Sequence, residues 1–506
     1  MSRLPLALAL VMLAAGCVTP SPNTPDVDAP VTSPPEWAAL AMPHGDGHDH
    51  RDWSQHVNLS TANFRELAYD PLATDAYGGQ SAVSYFCGGN ATTAEGRKIT
   101  VISSYDSDVA FVLVDVTDPM KPEKVGEYVI KGTTHYDVDI TDDGRFVVIG
   151  SDPDIGSVFG AIPGNFAAAM PTVRPIWRDA CGVEHEAGPE ESIPLAPATL
   201  LIDVSDPSAP TLRDALPAPA FGPHSVSTAT IDGTTYVASS ITNLAQPADY
   251  FQFSEITELP VGAKLTLLST VDGSQYGAGG TGGGHVDAEI SKHPVTGQMV
   301  AYLSNWDGGM VILDLTNPAV PMLLGEWADE QADGGAMHST RSVEGLWNDK
   351  HYVIAGQEFV ARPEDRPSGW IYILDDTDPS DVQEVARWTL PVDTEENWQN
   401  NGKDRCCLET YSTHYFRLVD HTLFVAMYHA GLWAIDLTDP AAPHSIGVFM
   451  PDMAPPDPRR EPVGGYDLTP FILDVFPQPD YSLTVFDAYS GVYSLKFDPA
   501  HPAPAV

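Results

Sequence analysis

The sequence predicts an all-β fold in which similar sheets repeat around one axis. Three observations support it: an apolar run that ends in aspartate and a turn, a constant spacing between copies, and histidines at equivalent points of the repeat. The copies are Val112–Asp115, Leu200–Asp203, Val311–Asp314, Tyr372–Asp375 and Trp433–Asp436, with a degenerate copy at Tyr493–Pro499. The step from Asp314 to Asp375, and from Asp375 to Asp436, is 61 residues. β-Branched strands and polar turns at a fixed period are typical of radial or stacked sheets, not of a sandwich.

The turn after each apolar run has a mechanical role of its own. Its aspartates can accept a hydrogen bond from the main chain two residues later, and the following proline removes a donor and ends the strand. We therefore interpret the motif aspartates as turn residues and not as calcium ligands: Asp115, Asp118, Asp203, Asp206, Asp314, Asp375, Asp378, Asp436 and Asp439.

These units resemble the LVIVD-repeat family of bacterial β-propellers. The family motif carries a second proline three residues after the first, matched at Pro119 with Pro122, Pro207 with Pro210, Pro318 with Pro321, and Pro440 with Pro443. Pro379 lacks the second proline, and the motif has decayed at Leu265–Gly273. The resemblance covers nearly all of the chain after the N-terminal 61 residues and implies a propeller fold. It implies no activity, because the family is defined by a structural repeat.

The strand starts indicate seven blades, with six or eight as alternatives because both end units are degenerate. The innermost strands are expected to begin near Ala82, His135, His224, His285, His338, His414 and Ile472. Insertions at about 153–194, 240–262 and 393–413 are expected at the faces. The tail strand Gly491–Phe497 is expected to close the ring with an N-terminal strand.

Five histidines open strand-like runs at the same point of the repeat, namely His135, His224, His285, His338 and His414. Equivalent positions of a radial repeat form a ring, so these imidazoles could share an iron, copper or zinc ion. Alternation in His135–Ile140 and His285–Ile290 directs Asp137, Asp287 and Glu289 toward the channel, where they would orient the rings as hydrogen-bond acceptors. The alternative is a structural role, as in WD-repeat propellers, where a recurring histidine bonds within its own blade.

Other histidines and cysteines carry simpler expectations. We expect the remaining histidines of the propeller at the surface: His185, His293, His351, His421, His429, His444 and His501. Four cysteines beyond Cys17 allow three pairings in an oxidising compartment. We favour the pairs Cys87 with Cys181 and Cys406 with Cys407.

The N-terminus resembles a bacterial lipoprotein signal. Met1–Arg3 supplies a positive charge, Leu4–Met12 is an apolar run too short to span a membrane, and Ala14–Cys17 is a small-residue cleavage site. Cys17 would become the lipidated first residue. This implies an extracytoplasmic protein anchored to the lipid bilayer, at the outer membrane or cell surface.

Three segments follow from this reading: a signal peptide at 1–17, a Pro- and His-rich flexible tether at 18–61 and one propeller domain at 62–503. The tether histidines are interpreted as part of a solvated linker, with loose metal capture as the alternative.

The charge of the chain narrows the class of partner. Lys and Arg number 25 against 69 Asp and Glu, a formal net charge of −44. Such an acidic protein is a poor ligand for nucleic acid.

Two functions remain from the sequence. The first is a surface module that binds protein or glycan at a propeller face. The second is a metal-dependent oxidoreductase built on the histidine ring. The chain has no Gly-x-Ser-x-Gly elbow, phosphate loop or His-Glu-x-x-His helix, and the first function is therefore favoured at this stage.

Overall fold

The chain forms seven antiparallel blades around an axis, which confirms the predicted all-β, seven-bladed propeller. The structure is a computed structural model. It describes residues 60–70, 72, 85–104, 109–134, 137–153, 172–181, 183–194, 196–219, 222–241, 250–276, 285–306, 308–329, 337–358, 369–390, 412–428, 430–451, 471–488 and 491–501. Helix within these residues is limited to the 3-10 turns Pro189–Glu191 and Gly273–Gln275.

The strands are, in chain order, β1 (Phe64–Asp70), β2 (Tyr85–Thr92), β3 (Lys98–Ser104), β4 (Val109–Asp115), β5 (Glu123–Val129), β6 (Thr133–Thr134), β7 (Val138–Ile140), β8 (Phe146–Pro153), β9 (Thr172–Val173), β10 (Ile176–Asp179), β11 (Glu184–Glu186), β12 (Ile193–Pro194), β13 (Ala198–Asp203), β14 (Thr211–Pro217), β15 (Ser225–Ile231), β16 (Thr234–Ile241), β17 (Tyr250–Glu258), β18 (Ala263–Asp272), β19 (His285–Lys292), β20 (Met299–Asn305), β21 (Gly309–Asp314), β22 (Met322–Trp327), β23 (Met337–Ser342), β24 (Tyr352–Gln357), β25 (Ile371–Asp375), β26 (Gln383–Trp388), β27 (Phe416–Val419), β28 (Thr422–Ala426), β29 (Leu432–Asp436), β30 (His444–Phe449), β31 (Ile472–Pro477), β32 (Ser482–Asp487) and β33 (Gly491–Phe497).

Each blade is one sheet whose first strand lies nearest the axis. Blade 1 contains β2 to β5, with β10 and β11 added outside, and blade 2 contains β6, β7, β8, β13 and β14. Blades 3 to 6 take four consecutive strands each from β15 to β30, and blade 7 combines β31, β32 and β33 with β1. The innermost strands contact one another in the order β2, β7, β15, β19, β23, β27, β31 and β2 again, which closes the ring.

The apolar runs are buried on both faces because every blade packs against two neighbours. In β4, Leu113 belongs to the core shared with blade 2, whereas Val112 and Val114 belong to the core shared with blade 7. Complete burial of one such side chain stabilises the fold by about 1.5–3 kcal/mol. This explains why the motif is a continuous apolar run and does not alternate.

The ring closes between the two ends of the chain, as predicted. β1 pairs antiparallel with β33, and Phe64 lies opposite Phe497. Their ring centroids are 4.7 Å apart, and Phe424 of blade 6 packs against both. The same blade thus holds an N-terminal and a C-terminal strand, which joins the first and last parts of the propeller.

The motif aspartates form the predicted turns. In each of the nine, a carboxylate oxygen accepts a hydrogen bond from the main-chain N–H two residues later, over 2.7–3.1 Å. Their role in the turn is therefore confirmed.

The insertion predicted at 240–262 is wrong. This segment holds β17, which pairs with β16 and β18 and occupies the place of the motif strand in blade 3. The motif has been lost there, but the strand remains. The 153–194 region supplies β10 and β11 at the outer edge of blade 1, and most of 393–413 lies outside the described residues.

The pairing of Cys87 with Cys181 is also wrong, because both thiols are free. Cys87 is buried on innermost β2, whereas Cys181 is exposed just after β10. Four strand spacings of about 4.8 Å separate β2 from β10, far beyond disulfide reach. Cys406 and Cys407 lie outside the described residues.

No helix among the described residues is long and apolar enough to cross a membrane.

Candidate metal centre

Three of the predicted ring histidines gather at the end of the channel where the innermost strands begin. His338 is the second residue of β23, His414 precedes β27, and His224 precedes β15. The ring centroids of His338 and His414 are 4.5 Å apart, and His224 lies near enough for a charge on it to lower the pKa of both. His135 and the side chain of His285 lie outside the described residues.

Glu358 joins the histidines because of the register of one hairpin. Met337 of β23 pairs with Gln357 of β24, and the next pair is Ser339 with Gly356, so His338 is the extra residue of a bulge. His338 therefore lies beside the end of β24, which Glu358 directly follows. His338 Nε2 lies 3.5 Å from Glu358 Oε2. One ligand atom from each of His338, Glu358 and His414 lies within 4.8 Å of the others, and all three residues are buried.

The spacing fits a shared metal ion. Two ligand atoms at about 2.1 Å from one ion are about 3.4 Å apart at a tetrahedral angle. The separation of 3.5 Å between His338 Nε2 and Glu358 Oε2 is close to this value. The rings of His338 and His414 are 4.5 Å apart between centroids and tilted by 36°. These separations are compatible with one ion bound by all three side chains.

Hydrogen bonds orient the His414 ring as in known metal sites. His414 Nδ1 lies 2.9 Å from the carbonyl oxygen of Leu473 and donates its proton to it. This assigns the neutral tautomer whose Nε2 carries the lone pair, the arrangement typical of metal-bound histidine. Nδ1 of buried His338 makes no hydrogen bond of regular geometry.

Burial keeps the imidazoles neutral at physiological pH. It lowers the pKa of His338 to about 3 and, together with His338, holds the pKa of His414 well below its usual range. It also lowers the pKa of His224 to about 4, although part of that residue stays exposed. Neutral imidazole is the form that binds metal. Burial raises the pKa of Glu358 to about 7, opposed by a hydrogen bond from Tyr428.

Tyr415 closes the set on the side of the channel interior. Its ring centroid lies 5.2 Å from that of His338 and 4.8 Å from that of His414. The guanidinium groups of Arg341 and Arg417 lie 5.5 and 5.4 Å from the Tyr415 ring, as cation–π contacts. The Tyr415 ring therefore packs against both histidines and is itself flanked by two guanidinium groups.

A buried carboxylate matches each of these three side chains. The pairs are Arg341 Nη1 with Asp287 Oδ2 at 2.7 Å, Arg417 Nη2 with Asp474 Oδ2 at 2.9 Å, and Tyr415 Oη with Asp137 Oδ2 at 3.3 Å. Glu289, the third acceptor predicted for the rings, accepts hydrogen bonds from Ser342 of the next blade. The described bonds of the predicted acceptors therefore hold neighbours of the histidines and not the imidazoles themselves.

A second set of two histidines and a carboxylate lies at the opposite ends of the same strands. His293 follows β19, His351 precedes β24 and Asp376 follows β25, and all three are buried. The prediction of surface positions for His293 and His351 is therefore wrong, because the turns of blades 4 and 5 pack against each other there. His429 lies outside the described residues.

Main-chain groups already contact three of the four nitrogens of this second set. His293 Nδ1 accepts from the main-chain N–H of Thr296 at 3.2 Å, and Nε2 lies 2.9 Å from the carbonyl oxygen of Asp376. His351 Nε2 lies 3.2 Å from the carbonyl oxygen of Val343. His351 Nδ1 and Asp376 Oδ1 make a close polar contact of 2.7 Å. This separation is shorter than the about 3.4 Å expected for two ligands of one tetrahedral ion.

Sequence reasoning missed Glu358 and Tyr428. Both come just after the second strand of a blade, whereas the prediction followed only the first strand, where the histidines recur. The sequence did contain a usable signal. The strand that opens at His338 pairs antiparallel with the next strand, so the end of that next strand lies beside His338. An acid at that point, about twenty residues downstream, belongs to the same end of the blade.

Known proteins provide three comparisons. The LVIVD repeat family model matches residues 200–215 and 300–329. The chain is thus a seven-bladed β-propeller that carries LVIVD repeats, as the motif indicated. No curated protein matches it. It is similar to a solved structure from Bacteroides uniformis that is provisionally described as a 6-phosphogluconolactonase, at 9% identity and TM-score 0.47, over 79% of this chain and 95% of that one. It is also similar to the WD40 β-propeller domain of Doa1, at 9% identity and TM-score 0.44, over 84% and 96%.

Proposed function

We propose that the protein is a metal-dependent oxidoreductase whose ion is bound by His338, Glu358 and His414. The proposal rests on two imidazoles and one carboxylate that are buried and lie within 4.8 Å of one another. Two histidines and one carboxylate with open positions are typical of non-haem iron(II) centres that act with oxygen. We therefore favour iron, with zinc, which takes the same donors in hydrolases, and copper as the alternatives.

The residues around the set fit this role. His414 is oriented by Leu473, and Glu358 supplies the negative charge that offsets a divalent ion. Tyr415 packs against the rings of both histidines and shields that side of the set from water. When bound, iron in such a set supplies the capacity to activate oxygen toward a small substrate.

Metal analysis of protein made without a His tag tests the proposal. After anaerobic exposure to iron(II), the wild type is expected to bind about one ion per chain. His338→Ala, Glu358→Gln and His414→Ala should each weaken binding at least about ten-fold. His444→Ala, which removes a partly exposed histidine on β30, serves as the control and should change nothing. Wild-type protein that stays metal-free with iron, copper and zinc contradicts the proposal.

A surface binding module is the second candidate, and the exposed apolar side chains favour a protein as its ligand. These lie mainly on three adjacent blades, 3 to 5: Leu259, Val261, Leu267, Val295, Val320, Met322, Leu323 and Leu346. If the wild-type protein stays metal-free in the test above, the surface binding module remains as the proposed function.

In either case the proposed site of action is the cell envelope, through a lipid on Cys17. Cys17→Ala should release the protein from membranes or leave its signal uncleaved, as seen by fractionation and gel migration. Unchanged fractionation and migration would remove the anchor.

A further inference from the structure

We propose that Tyr428 is a positioning residue that holds Glu358 as a one-oxygen ligand and so keeps coordination positions open on the metal. This inference rests on the proposed function. Its evidence is the hydrogen bond that the Tyr428 hydroxyl donates to Glu358 Oε1. The other oxygen, Oε2, is the one that faces His338.

Tyr428 links two blades at the site. It lies two residues after β28 in blade 6, whereas Glu358 directly follows β24 in blade 5. Its ring also packs against two aromatic neighbours, with centroids 5.2 Å from His414 and 4.8 Å from Phe471. One side chain therefore touches two of the three proposed ligands and fixes the distance between their blades.

The main chain holds Tyr428 in an unusual conformation. Its φ is 49°, in the left-handed region that a bulky residue rarely adopts. A two-way bridge to Ile472 of blade 7 maintains this, with N···O distances of 3.1 Å in both directions. Unfavourable backbone conformations persist where the surroundings enforce them, and they cluster at functional sites. Here the conformation directs the phenol at Glu358.

The carboxylate would behave differently without the phenol. A glutamate with both oxygens accessible can bind an ion through both or rotate away from it. With Oε1 engaged by Tyr428, only Oε2 is presented toward His338 and His414. Partners that orient a metal ligand contribute about ten- to hundred-fold to metal affinity.

Tyr428→Phe removes only the hydroxyl and tests this role. Cobalt(II) is the probe, because it binds to iron and zinc sites and its visible absorption depends on coordination number. The variant should bind cobalt(II) about ten- to hundred-fold more weakly, with an altered visible spectrum. Tyr372→Phe is the matched control, since buried Tyr372 of blade 5 donates in the same way to Asp329, which follows β22 of blade 4 and lies outside the proposed ligand set. It should leave affinity and spectrum unchanged.

A second variant keeps the test decisive if Tyr428→Phe does not fold. Glu358→Asp shortens the carboxylate, so it cannot keep both the phenol contact and the ion, and it should also weaken binding and alter the spectrum. Wild type without cobalt binding would overturn the proposed function itself. Wild-type binding that neither folded variant weakens or alters spectroscopically would overturn only the role of Tyr428.

Discussion

The described part of the chain contains two buried sets of two histidines and one carboxylate, which differ in spacing and in the main-chain contacts of their nitrogens. In the set along the channel, His338 Nε2 and Glu358 Oε2 are 3.5 Å apart, and Nδ1 of His338 lacks a regular hydrogen bond. Between blades 4 and 5, His351 Nδ1 and Asp376 Oδ1 are 2.7 Å apart, and both nitrogens of His293 contact main-chain groups. Nδ1 of His351 also lacks a regular hydrogen bond. Residue types alone therefore do not identify a metal site. The spacing of the side chains and the main-chain contacts of His293 distinguish the two.

We expect the second set to hold the turns of blades 4 and 5 together. A substitution that removes it should have the largest effect on the free energy of unfolding. Asp376 accepts a 2.6 Å hydrogen bond from Tyr302 besides its contact with His351. Asp376→Ala would leave these buried groups unpaired, at a cost of about 3–5 kcal/mol in the free energy of unfolding. Urea denaturation measures this. A decrease in the free energy of unfolding below about 1 kcal/mol would show that the set does not stabilise the contact between these blades.

Asp139, a carboxylate on innermost strand β7, should make a smaller, pH-dependent contribution to the free energy of unfolding. Burial raises the pKa of Asp139 to about 6, despite hydrogen bonds from Thr228. Because the folded pKa lies above the unfolded value of 3.8, the folded state binds more protons between these values, and stability falls as pH rises from about 4 to above 6. The group's contribution to this fall is about 1–3 kcal/mol.

Asp139→Asn isolates that contribution, since asparagine can still accept from Thr228 but does not titrate. The free energy of unfolding of the variant should fall less steeply than that of the wild type between pH 4 and 7. Parallel curves for the two proteins would show that Asp139 does not retain its proton in the channel. Asp474, whose pKa is also about 6, provides a second position at which to repeat the measurement.

The fold could be predicted because its signals are local. The Asp-Pro turns, the 61-residue step and the apolar runs each reflect one blade, and the closing strand at Gly491–Phe497 follows from their count. The prediction failed for blade 3, because β17 occupies the place of the motif strand although its sequence lacks the motif. Its strand is held by pairing with β16 and β18, which leaves no turn signature in the sequence.

The candidate site could be predicted only in part because its members come from different strands. Recurrence in register identified His338 and His414, which share one position in the repeat. Glu358 follows the second strand of its blade, away from the recurring histidines, and it joins the site through the pairing of β23 with β24. The surface position expected for His351 failed for a related reason, since contact between blades buries a turn that looks polar in sequence.

Metal content of paired variants tests the central claim most directly. Wild type, His338→Ala and Asp376→Asn are loaded with iron(II) under the same conditions and confirmed as folded by circular dichroism. Asparagine keeps the acceptor for Tyr302, so Asp376→Asn should remain folded. The account predicts about one ion per chain in wild type and Asp376→Asn and almost none in His338→Ala. Loss of metal in Asp376→Asn, with full metal in His338→Ala, would contradict it.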